Sequence, residues 1–493
     1  MINLNSFLGF LFYLIILALF LIFYTFFSHS IDQRYFINFT YLIILILLSH
    51  LIIKHRRLTD VHFYFLSLSM IYIFLVPFFV YNYNVNIFAS EKFRNLLPAD
   101  IIYSNIILII GFIFYIFMSK PNYINPISLK NNYSKGIDLK IKIIALFLIF
   151  FGTLSFLRLS LSYGFDISIL LGALENRSRL NFSDVYGKSY FKSLLFSFNF
   201  AFMLFLYIHR NKNINYFLTS IFLFYLLIVL TVFDGQRIQT IGFMISAIII
   251  YRIKHISHNI TQYDLGSSFT KIKHNDSALN LRIIITGFIF LIFLIVYGQY
   301  RSGNIGEYGL TISRIFEDWS QILFYVTNLF DSAITYPIVV SEINTNGQQM
   351  WNGKSILMPI INRVPTILFP DKLDYMYGAG RFSLEFLGYD QLDETTVSRS
   401  CSLFCNLYLN FGSIGVIAAP ILFSLFGNYL NKKLSKNYDN YFIVILFVSM
   451  CSYLLPYAFK ANIFQTISMF DVKLLIFFIT VYFSSLFFTK REN

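Results

Sequence analysis

Apolar runs of about 20 residues recur along this chain from residue 5 to residue 488, and they leave few folds open. A run of that length spans the hydrocarbon of a bilayer as a helix. There, every backbone N–H and C=O must find its partner within the segment itself. With 57% hydrophobic and 13% charged residues, 60 Phe and 35 Tyr, a water-soluble globular fold of this size is excluded. The expectation is an all-α polytopic membrane protein of about twelve spans, within a range of 11–14. They are placed near 5–28, 35–53, 61–81, 101–118, 140–162, 191–208, 214–233, 238–253, 282–298, 401–430, 440–458 and 472–488. The first run, over 7–27, has no basic segment before it and no small-residue cleavage site after it, so it reads as a retained anchor. Within 401–430, "LYLNFGSIG" gathers Asn410, Gly412 and Gly415 where a helix can end, and one kinked span or two short ones both fit.

Charge gives these spans an orientation. With the amino terminus inside, the inner segments hold 20 Lys and Arg against 6 Asp and Glu, and the outer ones hold 17 against 19. The formal charge of +13 is therefore an orientation signal, with both termini cytoplasmic, and nucleic-acid binding is not needed to explain it. Cys401, Cys405 and Cys451 lie in or beside apolar runs without metal-ligand spacing, so neither a disulfide framework nor a zinc site is expected of them.

The outer loop at 299–400 is far longer than a connector requires, and it divides the chain into spans at 1–298, the loop, and spans at 401–493. Inside it, Ile312, Ile315, Phe316, Trp319, Ile322, Leu323, Val326, Leu329 and Phe330 recur at helical spacing. The charged residues of that stretch fall on other faces, which predicts an amphipathic helix. Pro365 and Pro370 break regular structure further on, and "YGAGRF" makes a glycine-rich bend around Arg381. No internal repeat of the kind that builds transporters is visible.

Arginines on the outer side are the first candidates for chemistry: Arg177, Arg179, Arg237, Arg301, Arg314, Arg363 and Arg381. A guanidinium binds phosphate through two parallel hydrogen bonds, which lysine cannot reproduce. Each has an ordinary alternative, since interfacial arginines snorkel to lipid phosphates. Arg237 sits in "DGQR" between two apolar runs, where an anion must compensate it; Asp234, three residues earlier, is one such anion and a bound phosphate would be another. Arg177 and Arg179 in "ENRSR" equally fit a solvated face beside Glu175. Only His29 of the eight histidines falls outside on this topology, so a general base is sought among the loop carboxylates Glu317, Asp318, Asp371, Asp374, Glu385 and Asp390. Glu385 ranks first, although its position four residues after Arg381 also suits a plain ion pair.

The order of "GQR" opening a span, "QYRSG" after another, "VPTILFPDK" inside the one large loop and "LYLNFGSIGV" after it resembles the Wzy-type O-antigen or oligosaccharide repeat-unit polymerases, chiefly over 230–430. The resemblance implies a fold similar to the C-type glycosyltransferases in a bacterial inner membrane, with the large loop periplasmic. The implied activity moves a growing glycan from one undecaprenyl pyrophosphate to the nonreducing end of another lipid-linked repeat unit, without nucleotide or metal cofactor. The implied partners are that lipid-linked oligosaccharide and membrane lipid, with a chain-length regulator as a further candidate and no nucleic acid. Outer-face arginines would hold the pyrophosphates: Arg237 and Arg301 by motif, Arg363 and Arg381 by loop position, with Arg177 added from its outer loop. Arg301 would also act catalytically, with Glu385 as base. A transporter of the same lipid-linked sugars and an O-antigen ligase are the rivals. The first leaves the large loop unexplained, and the second resembles proteins with an outer-loop histidine that this loop lacks.

Overall fold

The computed structural model describes residues 4–83, 85, 89–120, 135–162, 197–208, five positions between 242 and 250, 327, 330–361, 364, 368, 379–387, 401–436 and 440–460. All regular structure among them is helical. In chain order the α-helices are α1 (Leu4–Phe27), α2 (Gln33–Lys54), α3 (Val61–Ser69), α4 (Val76–Asn82), α5 (Ser90–Arg94), α6 (Pro98–Met118), α7 (Lys135–Ser162) and α8 (Ser197–Ile208). They continue with α9 (Thr335–Asn346), α10 (Met358–Ile361), α11 (Ala379–Phe386), α12 (Leu403–Lys436), α13 (Tyr441–Ser449) and α14 (Leu455–Lys460). Among the described residues, six helical stretches are long and apolar enough to cross a membrane: Gly9–Phe27, Gln33–Lys54, Val61–Asn82, Pro98–Met118, Leu403–Lys436 and Tyr441–Lys460. They fit a multi-pass membrane protein. The expected spans at 214–233, 282–298 and 472–488 lie outside the described residues, as does the amphipathic helix over 312–330 apart from residues 327 and 330.

Two of these stretches are built the same way. Residues Met70–Leu75 and Met450–Leu454 are π-helical, and each is followed two residues later by a proline, Pro77 or Pro456. Proline lacks an N–H and its ring collides with the carbonyl four residues back. One wider π turn moves that carbonyl aside and lets the helix run on through the membrane.

The chain forms two compact units, the first from residues 1–123, 323–433 and 454–468. In it, α2 and α6 lie side by side in parallel with a constant offset: Asn105 Nδ2 donates to Thr40 Oγ1 at 2.9 Å, and Lys54 Nζ donates to Ser119 O at 2.9 Å. Helix α12 follows the same direction along α6, from Tyr103 and Ser413 (hydroxyls 2.9 Å apart) to the Asn428 Nδ2 bond with Met118 O at 2.9 Å. Midway, Gly111 faces Pro420 and Ile417 so closely that a Cβ would come within 3.3 Å of the Ile417 backbone, a small-residue crossing of the kind that holds membrane helices together.

Helix α12 answers the question posed by "LYLNFGSIG". Gly412 has φ 61° and ψ −153°, a conformation close to glycine-only, so a short helical piece ends there and the helix restarts. Residues 413–436 then extend about 36 Å at 1.5 Å per residue, enough for one complete crossing.

The second unit comprises residues 124–322, 434–453 and 469–493. Its described part is α7 against α8, with α8 also against α13. Small side chains join the helices here: Ser246 Oγ donates to Ser452 Oγ at 2.9 Å, and a Cβ on Gly242 would collide with Ser452 O and the Tyr453 ring.

Candidate functional site

Two polar clusters occupy opposite ends of α6, separated by its length of about 30 Å at 1.5 Å per residue. At the end where α6 begins, pieces of the large loop settle onto the helices. Asn344 Nδ2 and Thr345 Oγ1 of α9 donate to the two oxygens of Asp100, at 3.4 and 3.2 Å, in the first turn of α6 where a carboxylate is favoured by the helix dipole. Trp351 N donates to Leu409 O at 2.7 Å, and Ser355 N to Asn410 Oδ1 at 3.3 Å, tying the following segment to the start of α12.

Helix α11 completes this cluster. Its Arg381 Nε donates to Glu385 Oε1 at 2.5 Å, and Trp351 Nε1 donates to Glu385 Oε2 at 2.8 Å. The carboxylate thus bridges an arginine about one-third exposed and an indole that is only 2% exposed. Lys92 on α5 binds both the end of α11, through Phe386 O at 2.7 Å, and Glu342 Oε1 on α9 at 2.7 Å. Asn346 Nδ2 takes the other Glu342 oxygen at 2.8 Å.

Arg381 and Glu385 form the i, i+4 pair that their spacing also suits, with the Trp351 indole sharing the carboxylate. Each Glu385 oxygen already accepts one hydrogen bond, and donors of this kind favour the charged carboxylate over the protonated form that a general base must reach. Its Trp351 partner lies 34 residues away and leaves no local signature in the sequence. Arg177, Arg179, Arg237, Arg301, Arg314 and Arg363 lie outside the described residues, together with Glu317, Asp318, Asp371, Asp374 and Asp390.

At the other end of α6, a second cluster surrounds the buried side chains of His55, Asp60 and His62. Asp60 caps α3 and is 1% exposed; its Oδ1 accepts from His62 N at 3.0 Å and from Asn431 Nδ2 of α12 at 2.6 Å. Asn431 Oδ1 in turn accepts from Val61 N at 3.1 Å. His55 Nδ1 lies 2.9 Å from Asp60 Oδ2, and its Nε2 lies 3.0 Å from Ser119 Oγ. Lys54 Nζ sits 3.3 Å from that same hydroxyl. The Asp60 carboxylate can only accept, so His55 carries a proton on Nδ1; the Ser119 hydroxyl accepts from Lys54 and is placed to donate to His55 Nε2.

His62 is fixed by the same logic. Its Nε2 lies 3.1 Å from Asn428 Oδ1, an oxygen that can only accept, so Nε2 carries the proton and Nδ1 accepts from Tyr115 OH at 2.5 Å. Gly427 is required here, because a Cβ would stand 2.6 Å from His62 Cε1. Burial alone pushes the Asp60 carboxyl up. The His55 hydrogen bond, the nearby imidazoles and the Asn431 bond outweigh it and hold Asp60 below the usual carboxylate value.

Sorting the histidines by side of the membrane passed over this group. The signal available was the spacing of His55, Asp60 and His62 in a segment of eight residues, with Asp60 placed as a helix cap before an apolar run. The three cysteines are free and buried, in keeping with a packing role.

Comparison with known proteins adds no identity: no family model matches the chain, and no curated protein or solved structure matches it.

Proposed function

We propose that the protein polymerises lipid-linked oligosaccharide repeat units, moving a growing glycan from one undecaprenyl pyrophosphate to the nonreducing sugar of another. The observation that carries this reading is the order of arginine motifs around one large loop: "GQR" with Arg237, "QYRSG" with Arg301, then a proline-broken stretch with Arg363 and a bend with Arg381. Breaking the glycosidic bond leaves negative charge on the departing pyrophosphate. Preorganised guanidinium groups bind that charge more tightly in the transition state than in the ground state, which is what accelerates the reaction.

Arg237 and Arg301 are assigned to the pyrophosphates, and Arg301 to the charge that develops on bond cleavage, with Arg363 and Arg177 as further contacts. Arg381 and Glu385 take a narrower part in this reading. Their pairing, together with the Trp351 bond, supports a role in holding α11 against the loop segment at 351–357. The membrane assignment in this reading is the bacterial inner membrane, with the loop periplasmic and both termini cytoplasmic.

Cells lacking the protein test the proposal. Carriers bearing one repeat unit, exposed on the outer face, are the expected product. Carriers trapped facing inward would instead identify a transporter, and full-length polysaccharide on its carrier, never passed to an acceptor lipid, would identify a ligase.

A further inference from the structure

We propose that His55, Asp60 and His62 bind a divalent transition cation of the zinc type, which fastens the α2–α3 connection to the ends of α6 and α12. One ligand atom from each of the three residues lies within 4.8 Å of the other two, and all three side chains are buried. Zinc bonds to imidazole nitrogen and carboxylate oxygen measure about 2.0–2.2 Å, so tetrahedral ligand atoms stand roughly 3.4 Å apart. The 2.9 Å between His55 Nδ1 and Asp60 Oδ2 and the 4.8 Å outer limit bracket that spacing.

What separates this group from an ordinary buried hydrogen-bond cluster is that each prospective ligand has its remote atom already held. Ser119 Oγ holds His55 Nε2, while Asn431 Nδ2 and His62 N hold Asp60 Oδ1. His62 has partners on both nitrogens, Tyr115 on Nδ1 and Asn428 on Nε2, so either nitrogen can turn to the metal while the other stays oriented. Metal-binding histidines and carboxylates are set by outer partners of this kind.

Two imidazoles and one carboxylate suit a borderline cation such as Zn2+ better than Ca2+ or Mg2+, which prefer all-oxygen sets. On binding, the His55 Nδ1 proton moves to Nε2, where Ser119 Oγ turns to accept it, so the ring stays a neutral ligand and no electron moves. Water or the Tyr115 hydroxyl supplies the fourth position. The site lies a full helix length from the loop cluster, so it leaves the metal-free transfer chemistry proposed above untouched.

The test uses the full chain, purified in detergent, stripped with chelator, then titrated with ZnCl2. Wild type is expected to retain one equivalent of zinc after desalting and to melt at higher temperature with zinc than without. His55→Gln, Asp60→Asn and His62→Gln should each lower retained zinc to the background of the triple variant. Ser119→Ala, which keeps all three ligands, should weaken binding about 10–100-fold. Lys54→Met, which removes the neighbouring like charge, should tighten it, an effect that damage to the fold cannot mimic. Co2+ should give the intense visible bands of a tetrahedral site in wild type only. Wild type that retains no zinc above the triple variant, or single-ligand variants that retain as much as wild type, would overturn the proposal.

Discussion

Removing the Glu385 carboxylate separates a structural role from a catalytic one. Trp351 is 2% exposed and its indole N–H donates to Glu385 Oε2, so Glu385→Ala leaves a buried donor without this acceptor, at a cost of about 1–3 kcal/mol. The Arg381 pair is about one-third exposed on both sides and adds only about 0–1 kcal/mol. Glu385→Gln keeps an acceptor for the indole through its amide oxygen and gives up only the ion pair, so its loss is expected to stay within about 1 kcal/mol. Arg381→Ala should match Glu385→Gln. The assay is thermal unfolding of the purified protein in detergent, paired with polysaccharide length in cells. The expected order of stability is wild type, then Glu385→Gln and Arg381→Ala together, then Glu385→Ala well below. Equal stability of Glu385→Gln and Glu385→Ala would refute the Trp351 argument. Loss of chain extension in Glu385→Gln at unchanged stability would return Glu385 to the role of proton acceptor.

Three further outcomes are expected. Gly412→Ala forces a side chain into φ 61° and ψ −153°, so it should lower stability by about 1–3 kcal/mol, measured as a drop in melting temperature; an unchanged value would mean the helix break relaxes freely. Asp60 titrates below the usual carboxylate value, so its contribution is complete above that value and is lost as pH falls through the lower folded one. Acid unfolding should therefore steepen below about pH 4 in wild type and lose that component in Asp60→Asn, with equal acid profiles counting against it. Arg237→Lys and Arg301→Lys should fail to support chain extension at normal membrane abundance, because lysine cannot make the bidentate bond; activity in both would reduce these sites to simple charge.

The membrane class was legible because hydrocarbon thickness imposes a length on every span, and α1, α2 and α6 begin and end within about three residues of the apolar runs that announce them. The π turns before Pro77 and Pro456 were not, since hydropathy averages over them and a proline in an apolar run does not say how its helix adapts. Helix α9 lies inside the stretch read as loop because its face is set by α6 and α5 rather than by its own weak periodicity. At the loop cluster, the Arg381–Glu385 pairing followed from a spacing of four, whereas Trp351 and Lys92 reach α11 from remote parts of the chain. Asp60 and its histidines were visible as residues, yet their joining depends on Asn428 and Asn431, more than 360 positions away.

Transfer from one lipid-linked unit to another can be followed by reconstitution. The purified protein is placed in liposomes with undecaprenyl-pyrophosphate-linked repeat units as the sole substrate, and glycan length and freed undecaprenyl pyrophosphate are followed together. Wild type should give a ladder of longer glycans, with one carrier released per added unit, and Arg237→Ala and Arg301→Ala should give neither product. Unlengthened substrate with wild-type protein, or equal ladders from both variants, would contradict the proposed transfer.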